Sequence, residues 1–157
     1  MIILGVDTGL AHCGLALLEA DDAGARVLDL QVCQTDAGET LQARLATYQR
    51  RMSDVMRNNA PHVVVIERPS FPRSAKAAAM LWSAWGIVAG LADSRALLVQ
   101  PSAGEWRKAL GLPACARGDE GKAERKASTA AMMRARFPGV DTLMASVIPS
   151  KREHALA

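Results

Sequence analysis

With 157 residues, half of them hydrophobic, the chain is long enough for one domain with a true core, and no stretch is both long and uncharged enough to span a bilayer. Its three cysteines, Cys13, Cys33 and Cys115, lie far apart and are odd in number, which excludes a disulfide framework and a cysteine zinc site. Net charge is +3 but uneven, with −6 over residues 1–40 and therefore +9 over the rest. The N-terminus runs straight into an apolar strand without the basic flank and cleavage site of a secretory signal, so the expected setting is a reducing cytoplasm.

The first predicted strand covers residues 1–7, where the apolar run Ile2-Ile3-Leu4-Gly5-Val6 closes on Asp7. A tight turn at Thr8-Gly9-Leu10-Ala11-His12 leads to a second strand over 13–19, and a turn at Asp21-Asp22-Ala23-Gly24 to a third over 26–33. There Leu28, Leu30 and Val32 alternate with Asp29 and Gln31, the mark of a half-buried edge. Three strands with short links imply an antiparallel meander. The period then changes. Leu41, Leu45, Tyr48, Met52 and Val55 recur at helical spacing, with Arg44, Arg51, Asp54 and Arg57 turned away, until Asn58-Asn59-Ala60-Pro61 stops the helix.

Residues 62–67 read as a parallel-type strand, whose run Val63-Val64-Val65-Ile66 closes on Glu67. A long apolar helix follows over 74–92 and a fifth strand over 95–100. Ser102 and Glu105 form a capping box that opens a short helix to Leu110. The loop 111–121 leads into a helix over 122–136, ended by Phe137-Pro138-Gly139. A meander followed by βα units predicts an α/β fold: a single domain, 1–157, with a five-stranded mixed sheet, helices on both faces, strand 1 in the middle and strand 4 beside it.

An apolar strand ending in a carboxylate delivers a charge to the rim of a buried sheet, where ionisation is costly without a partner. Two such strands side by side suggest that Asp7 and Glu67 share a cation. The plainer readings are that Asp7 bonds within its own turn near Gly9 and that Glu67 pairs with Arg68 or Arg73. Phe71, four residues beyond Glu67, has two readings: stacking on an exposed ring of a ligand, or plugging the core. The helix over 74–92 carries Met80, Trp82 and Trp85 with almost no polar face, so it needs cover on every side, from a second subunit or from within one chain. His12 and His62 read as ordinary turn and strand-edge residues. Residues 105–136 hold eight bases and four acids, a balance suited to phosphate contacts on a polyanion, or in part to a solvated helix face.

Gly5-Val6-Asp7-Thr8-Gly9, followed by Cys13-Gly14-Leu15-Ala16, resembles the opening of the RuvC-type Holliday junction resolvases of the ribonuclease H-like superfamily. Ile66-Glu67-Arg68-Pro69-Ser70-Phe71 resembles their second acidic motif, and residues 74–92 their long cleft-lining helix that packs against a second subunit. Arg107, Lys108, Lys122 and Lys126 fall where such enzymes carry phosphate-contacting bases. Arg73, Lys76, Arg117 and Arg125 complete the candidate nucleic-acid contacts. Pro149-Ser150-Lys151-Arg152-Glu153-His154-Ala155 resembles the start of their C-terminal helix, whose acids complete the metal site. In one departure, the family places a further acid about a turn later on that helix, whereas here Glu153 stands alone before Ala157.

The resemblance implies Mg²⁺-dependent hydrolysis of phosphodiesters, Mn²⁺ being a possible substitute, with two ions about 3.5–4 Å apart on hard oxygen ligands. Asp7 would bridge the ions, Glu67 would bind one and Glu153 the other, and His154 would position water or the scissile phosphate. Ser150 with Glu153 also forms a capping box, a structural reading of the same acid. The implied partners are branched DNA, a four-way junction above all, and a second copy of the chain, since two symmetric cuts need two sites related by a two-fold axis. Rival expectations are another nuclease of the superfamily, acting on other branched DNA or RNA–DNA hybrids, and a non-catalytic junction-binding protein.

Overall fold

The N-terminal apolar runs pair as their patterning dictates. The computed structural model describes residues 1–69, 74–92, 96–112 and 119–147. In it β1 (Ile2–Asp7), β2 (His12–Asp21) and β3 (Gly24–Gln34) form the antiparallel meander. After α1 (Leu41–Asn59), β4 (Val63–Ile66) pairs parallel to β1; after α2 (Ala75–Leu91), β5 (Leu97–Val99) pairs parallel to β4. The sheet order is β3-β2-β1-β4-β5, with β1 central and β4 at its side. This is the mixed five-stranded sheet that the sequence predicts.

Both helices begin on hydroxyl caps. Thr40 accepts from the Ala43 amide at 3.3 Å and Ser74 from the Ala77 amide at 3.4 Å, satisfying donors that the first helical turn leaves open. At the far end of α1, Ala60 takes a left-handed conformation, φ 40°, and its amide returns to the Met56 carbonyl. Tyr48 and Met52 from α1 and Ala84 and Val88 from α2 are fully buried against Leu4, Cys13, Val64 and Ile66, so both helices share one core with one face of the sheet.

The register of β2 and β3 jumps between Leu17, paired with Asp29, and Leu18, paired with Val27, leaving Leu28 as a bulged residue. Cys33 lies buried opposite Cys13 on the α1 side. By alternation Gln31 and Asp29 follow it there, and the Gln31 amide donates to Asp29 at 2.6 Å. Leu30 and Val32 fall on the other face.

The chain divides into two compact units, Met1–Ser102 and Ala103–Ala157. The second contains α3 (Ala103–Ala109), α4 (Asp119–Arg136) and α5 (Val140–Val147). The α4 helix starts three residues before the predicted 122, at Asp119. Gly139, at φ 85°, turns the chain from α4 into α5, an element that the Phe137-Pro138-Gly139 stop signal left unspecified. Arg134 clasps both carboxylate oxygens of Asp141 across that turn, at 2.9 and 3.1 Å. No helix among the described residues is long and apolar enough to cross a membrane.

Candidate metal centre

The β1–β4 ladder runs in parallel register from Ile3 and Val63 to Val6 and Ile66. One step further stand Asp7 and Glu67, and the Glu67 amide donates to the Val6 carbonyl at 3.4 Å. Val6 and Ile66 are buried under the helices. Because side chains alternate along a strand, the two carboxylates leave the sheet together on the opposite face, at the C-terminal ends of adjacent strands. Asp7 is exposed and Glu67 half-buried. The neighbouring Arg68 donates its amide to the Pro101 carbonyl at 2.9 Å and its guanidinium to the Gln100 carbonyl at 3.0 Å.

Two glycines shape the chain around Asp7. Gly14 stands opposite it on β2, and a Cβ there would lie 3.6 Å from the Asp7 Cβ. In the turn, a Cβ on Gly9 would sit 2.4 Å from the His12 carbonyl oxygen, so only glycine lets the chain close so tightly. Thr8, next to Asp7, has a buried hydroxyl with no hydrogen-bond partner among the described residues. Two carboxylates at one level of adjacent strands offer hard oxygen donors of the kind that fit a divalent cation such as Mg²⁺. Among the described residues, no three His, Cys, Asp or Glu side chains cluster.

Beneath the site, Tyr48 donates its hydroxyl to Cys13 Sγ at 3.3 Å. Burial pushes the Cys13 thiol up from 9.0 to about 11, against the partial opposition of the Tyr48 hydrogen bond. The same burial, with the Cys13 neighbour, raises Tyr48 well above its ordinary 10.0. Both groups are therefore neutral structural members of the core.

The remaining predicted residues fall in several places. Phe71, Arg73, Arg117, Glu153 and His154 lie outside the described residues. Lys76 is exposed in the first turn of α2. On the same helix Met80 and Trp85 pack against the core, while Trp82 is 37% exposed and meets the Trp85 ring edge-on at 5.5 Å. In the second unit Arg107 donates to Thr129 at 3.1 Å and Ser128 at 3.4 Å, holding α3 to α4, and its guanidinium lies over the Trp106 ring. Lys108 and Lys126 are exposed, Arg125 is half-buried and Lys122 stands in the first turn of α4. His12 sits exposed at the start of β2 beside the turn; His62, at the opposite end of the sheet, accepts from the Ile2 amide at 3.0 Å.

Comparison with known proteins adds a family. The model described as "Crossover junction endodeoxyribonuclease RuvC" matches residues 3–116. The RuvC of Mycolicibacterium smegmatis is 34% identical over 96 residues, which are 60% of this chain and 52% of that protein. The RuvC of Brachyspira hyodysenteriae is 27% identical over 88 residues, 56% of this chain and 55% of that one. The chain thus spans about half the length of these curated relatives. In fold, it resembles Thermus thermophilus RuvC solved in complex with Holliday junction substrate, with a TM-score of 0.70 and 23% identity, over 87% of this chain and 78% of that one. The fold is the ribonuclease H-like one that the sequence predicts.

Proposed function

The chain belongs to the family of the crossover junction endodeoxyribonuclease RuvC, and from that premise we propose that it is a divalent-metal-dependent endonuclease that resolves four-way DNA junctions by paired, symmetric nicks as a homodimer. The observation that carries this reading is the shared level of Asp7 and Glu67 at the ends of β1 and β4. Both acids fall inside the stretch that matches the family.

In this reading Asp7 and Glu67, completed by Glu153 and with His154 at hand for water or the scissile phosphate, hold the cations, Mg²⁺ by preference and two per site. When bound, such ions supply an activated water and neutralise charge on the attacked phosphate. The chain's own part is to fix the carboxylates on rigid strands, so that little reorganisation is needed at the moment of reaction. Gly9 lets the turn after Asp7 close tightly, and Gly14 puts no side chain opposite Asp7 on β2. Lys76, Lys108, Lys122, Arg125 and Lys126, with Arg73 and Arg117, bind backbone phosphates, and Phe71 stacks on an unpaired base near the branch point.

The homodimer is supported by the outer stripe of α2. Ala79, Trp82, Gly86 and Gly90 are exposed at successive helical turns and carry no charge. Closely approaching small residues around one tryptophan suit a second copy better than water. Such a dimer relates two sites by a two-fold axis, as a four-way junction requires. A cytoplasmic setting is in keeping with such a substrate.

Cleavage assays on four-way, flap and RNA–DNA hybrid substrates of matched sequence, with and without Mg²⁺, test the proposal. Preferential, Mg²⁺-dependent, symmetric nicking of the four-way substrate is expected. Equal cutting of hybrids would move the chain to another branch of the superfamily, and tight junction binding without any cutting would make it a scaffold.

A further inference from the structure

The turn that follows Asp7 is tied down from outside the strands that carry the acids. Thr35, half-buried just beyond the end of β3, makes three connections there. Its hydroxyl donates to the Leu10 carbonyl at 2.6 Å, its amide donates to the Ala11 carbonyl at 3.2 Å, and its oxygen accepts from Arg44 Nε at 3.0 Å. Arg44 comes from the first turns of α1, and the Leu10 side chain is buried in the core at 5% exposure. The turn is thereby fixed to β3, to α1 and to the core at once.

The consequence reaches Asp7 through very few bonds. Leu10 lies three residues beyond it, and Gly9 closes the intervening chain against His12 with no room to spare. A strand end normally frays; here the carboxylate that has to hold one position stands between the β1–β4 ladder and a clamped turn. The Arg44 bond makes the threonine oxygen a charge-assisted acceptor, which strengthens the bond it donates in turn.

We propose that Thr35 is a positioning residue for the Asp7 site, a latch whose hydroxyl sets the turn and through it the orientation of the Asp7 carboxylate. The inference rests on the reading of Asp7 as a metal ligand. The latch acts on preorganisation, so its loss lowers the turnover rate and the cation affinity while leaving DNA affinity alone. A displacement of well under 1 Å at a catalytic carboxylate is enough to cost on the order of ten- to a hundredfold in rate.

The experiment compares the wild-type protein with Thr35→Val, which keeps the shape and loses the hydroxyl, and Thr35→Ser, which keeps the hydroxyl. Four quantities are read: thermal melting, Mn²⁺ binding by calorimetry in the absence of DNA, four-way junction affinity in Ca²⁺, and single-turnover cleavage in Mg²⁺. Hydrogen exchange of amides 8–11 is followed in parallel. The latch predicts that Thr35→Val melts cooperatively, binds the junction as the wild type does, exchanges faster in the turn, binds Mn²⁺ several-fold more weakly and cuts at least tenfold more slowly, with Thr35→Ser close to wild type. Wild-type Mn²⁺ affinity and cutting in Thr35→Val would overturn it, as would a uniform loss of stability, junction affinity and rate in which serine gives no rescue. A wild-type protein that binds no Mn²⁺ would instead sink the metal reading, and the latch with it.

Discussion

The Glu67 amide donates to the Val6 carbonyl at 3.4 Å, extending the β1–β4 ladder one step past its last registered pair. That bond brings two acids sixty residues apart in sequence to one level of the sheet. Parallel pairing has a second consequence, because both chains exit at the same rim, where following turns and loops can be shaped freely around a fixed pair of charges.

The turn after Asp7 tolerates no side chain at Gly9. An added methyl would meet the His12 carbonyl at 2.4 Å, and that carbonyl is backbone that cannot swing away. Gly9→Ala is expected to cost about 1–3 kcal/mol of stability by denaturant unfolding, as overpacking does elsewhere, and to lose most cleavage. An unchanged midpoint would show that the turn relaxes freely.

Thr8 buries a hydroxyl that finds no partner among the described residues. Thr8→Val should therefore raise the stability of the metal-free protein by about 1 kcal/mol, because the desolvation penalty is removed. The same change should slow Mg²⁺-dependent cleavage if that oxygen serves a bound water. Chemical denaturation beside a cleavage time course checks both halves; a destabilised variant would contradict the first.

Stability should fall on the alkaline side. Below pH 9 the Cys13 thiol is protonated in folded and unfolded chains alike. Between its ordinary 9.0 and its folded value of about 11 the unfolded chain releases the proton while the folded one retains it. The native state then loses about 2–3 kcal/mol as the pH rises through that window. Tyr48 is shifted in the same direction from 10.0 and steepens the loss. Denaturant midpoints measured from pH 8 to 11 should decline, and Cys13→Ala should flatten the slope between 9 and 11; a flat wild-type profile would contradict the burial argument.

Junction binding should weaken steeply with salt, since each phosphate contact releases counterions. Lys108→Ala and Lys126→Ala, both at exposed positions, should each lower the slope of log affinity against log salt by about 1. Arg107→Ala should behave differently. Its guanidinium is spent on Thr129 and Ser128, so its loss should show in the melting of the second unit as well as in DNA affinity.

The sheet was legible because its signals are local and agree. Apolar runs closed by single acids gave β1 and β4, and short turns gave the meander. The expected partnership of Asp7 and Glu67 followed from the order of strands alone. Less legible was what braces them. Arg44 reads as a residue turned to solvent, since charge dominates any periodicity count, yet it is half-buried on Thr35. The alternation of Leu28, Leu30 and Val32 marks a half-buried edge without saying which face meets α1; Cys33 opposite Cys13 settles that, and the bulge at Leu28 breaks the count. Tyr48 was visible as core, whereas its hydroxyl's bond to Cys13 spans 35 residues and has no sequence signature. Pairwise contacts between elements are set by register, and register is a property of the assembled sheet.

The most direct test of the account is single-turnover cleavage of a four-way junction by Asp7→Asn beside the wild type, in Mg²⁺, with junction affinity measured in Ca²⁺ on the same preparations. The substitution keeps the size of the side chain and removes the charge that would hold a cation. The account predicts a rate lowered by at least a thousandfold with junction affinity within a few-fold of wild type; cutting at the wild-type rate would contradict it.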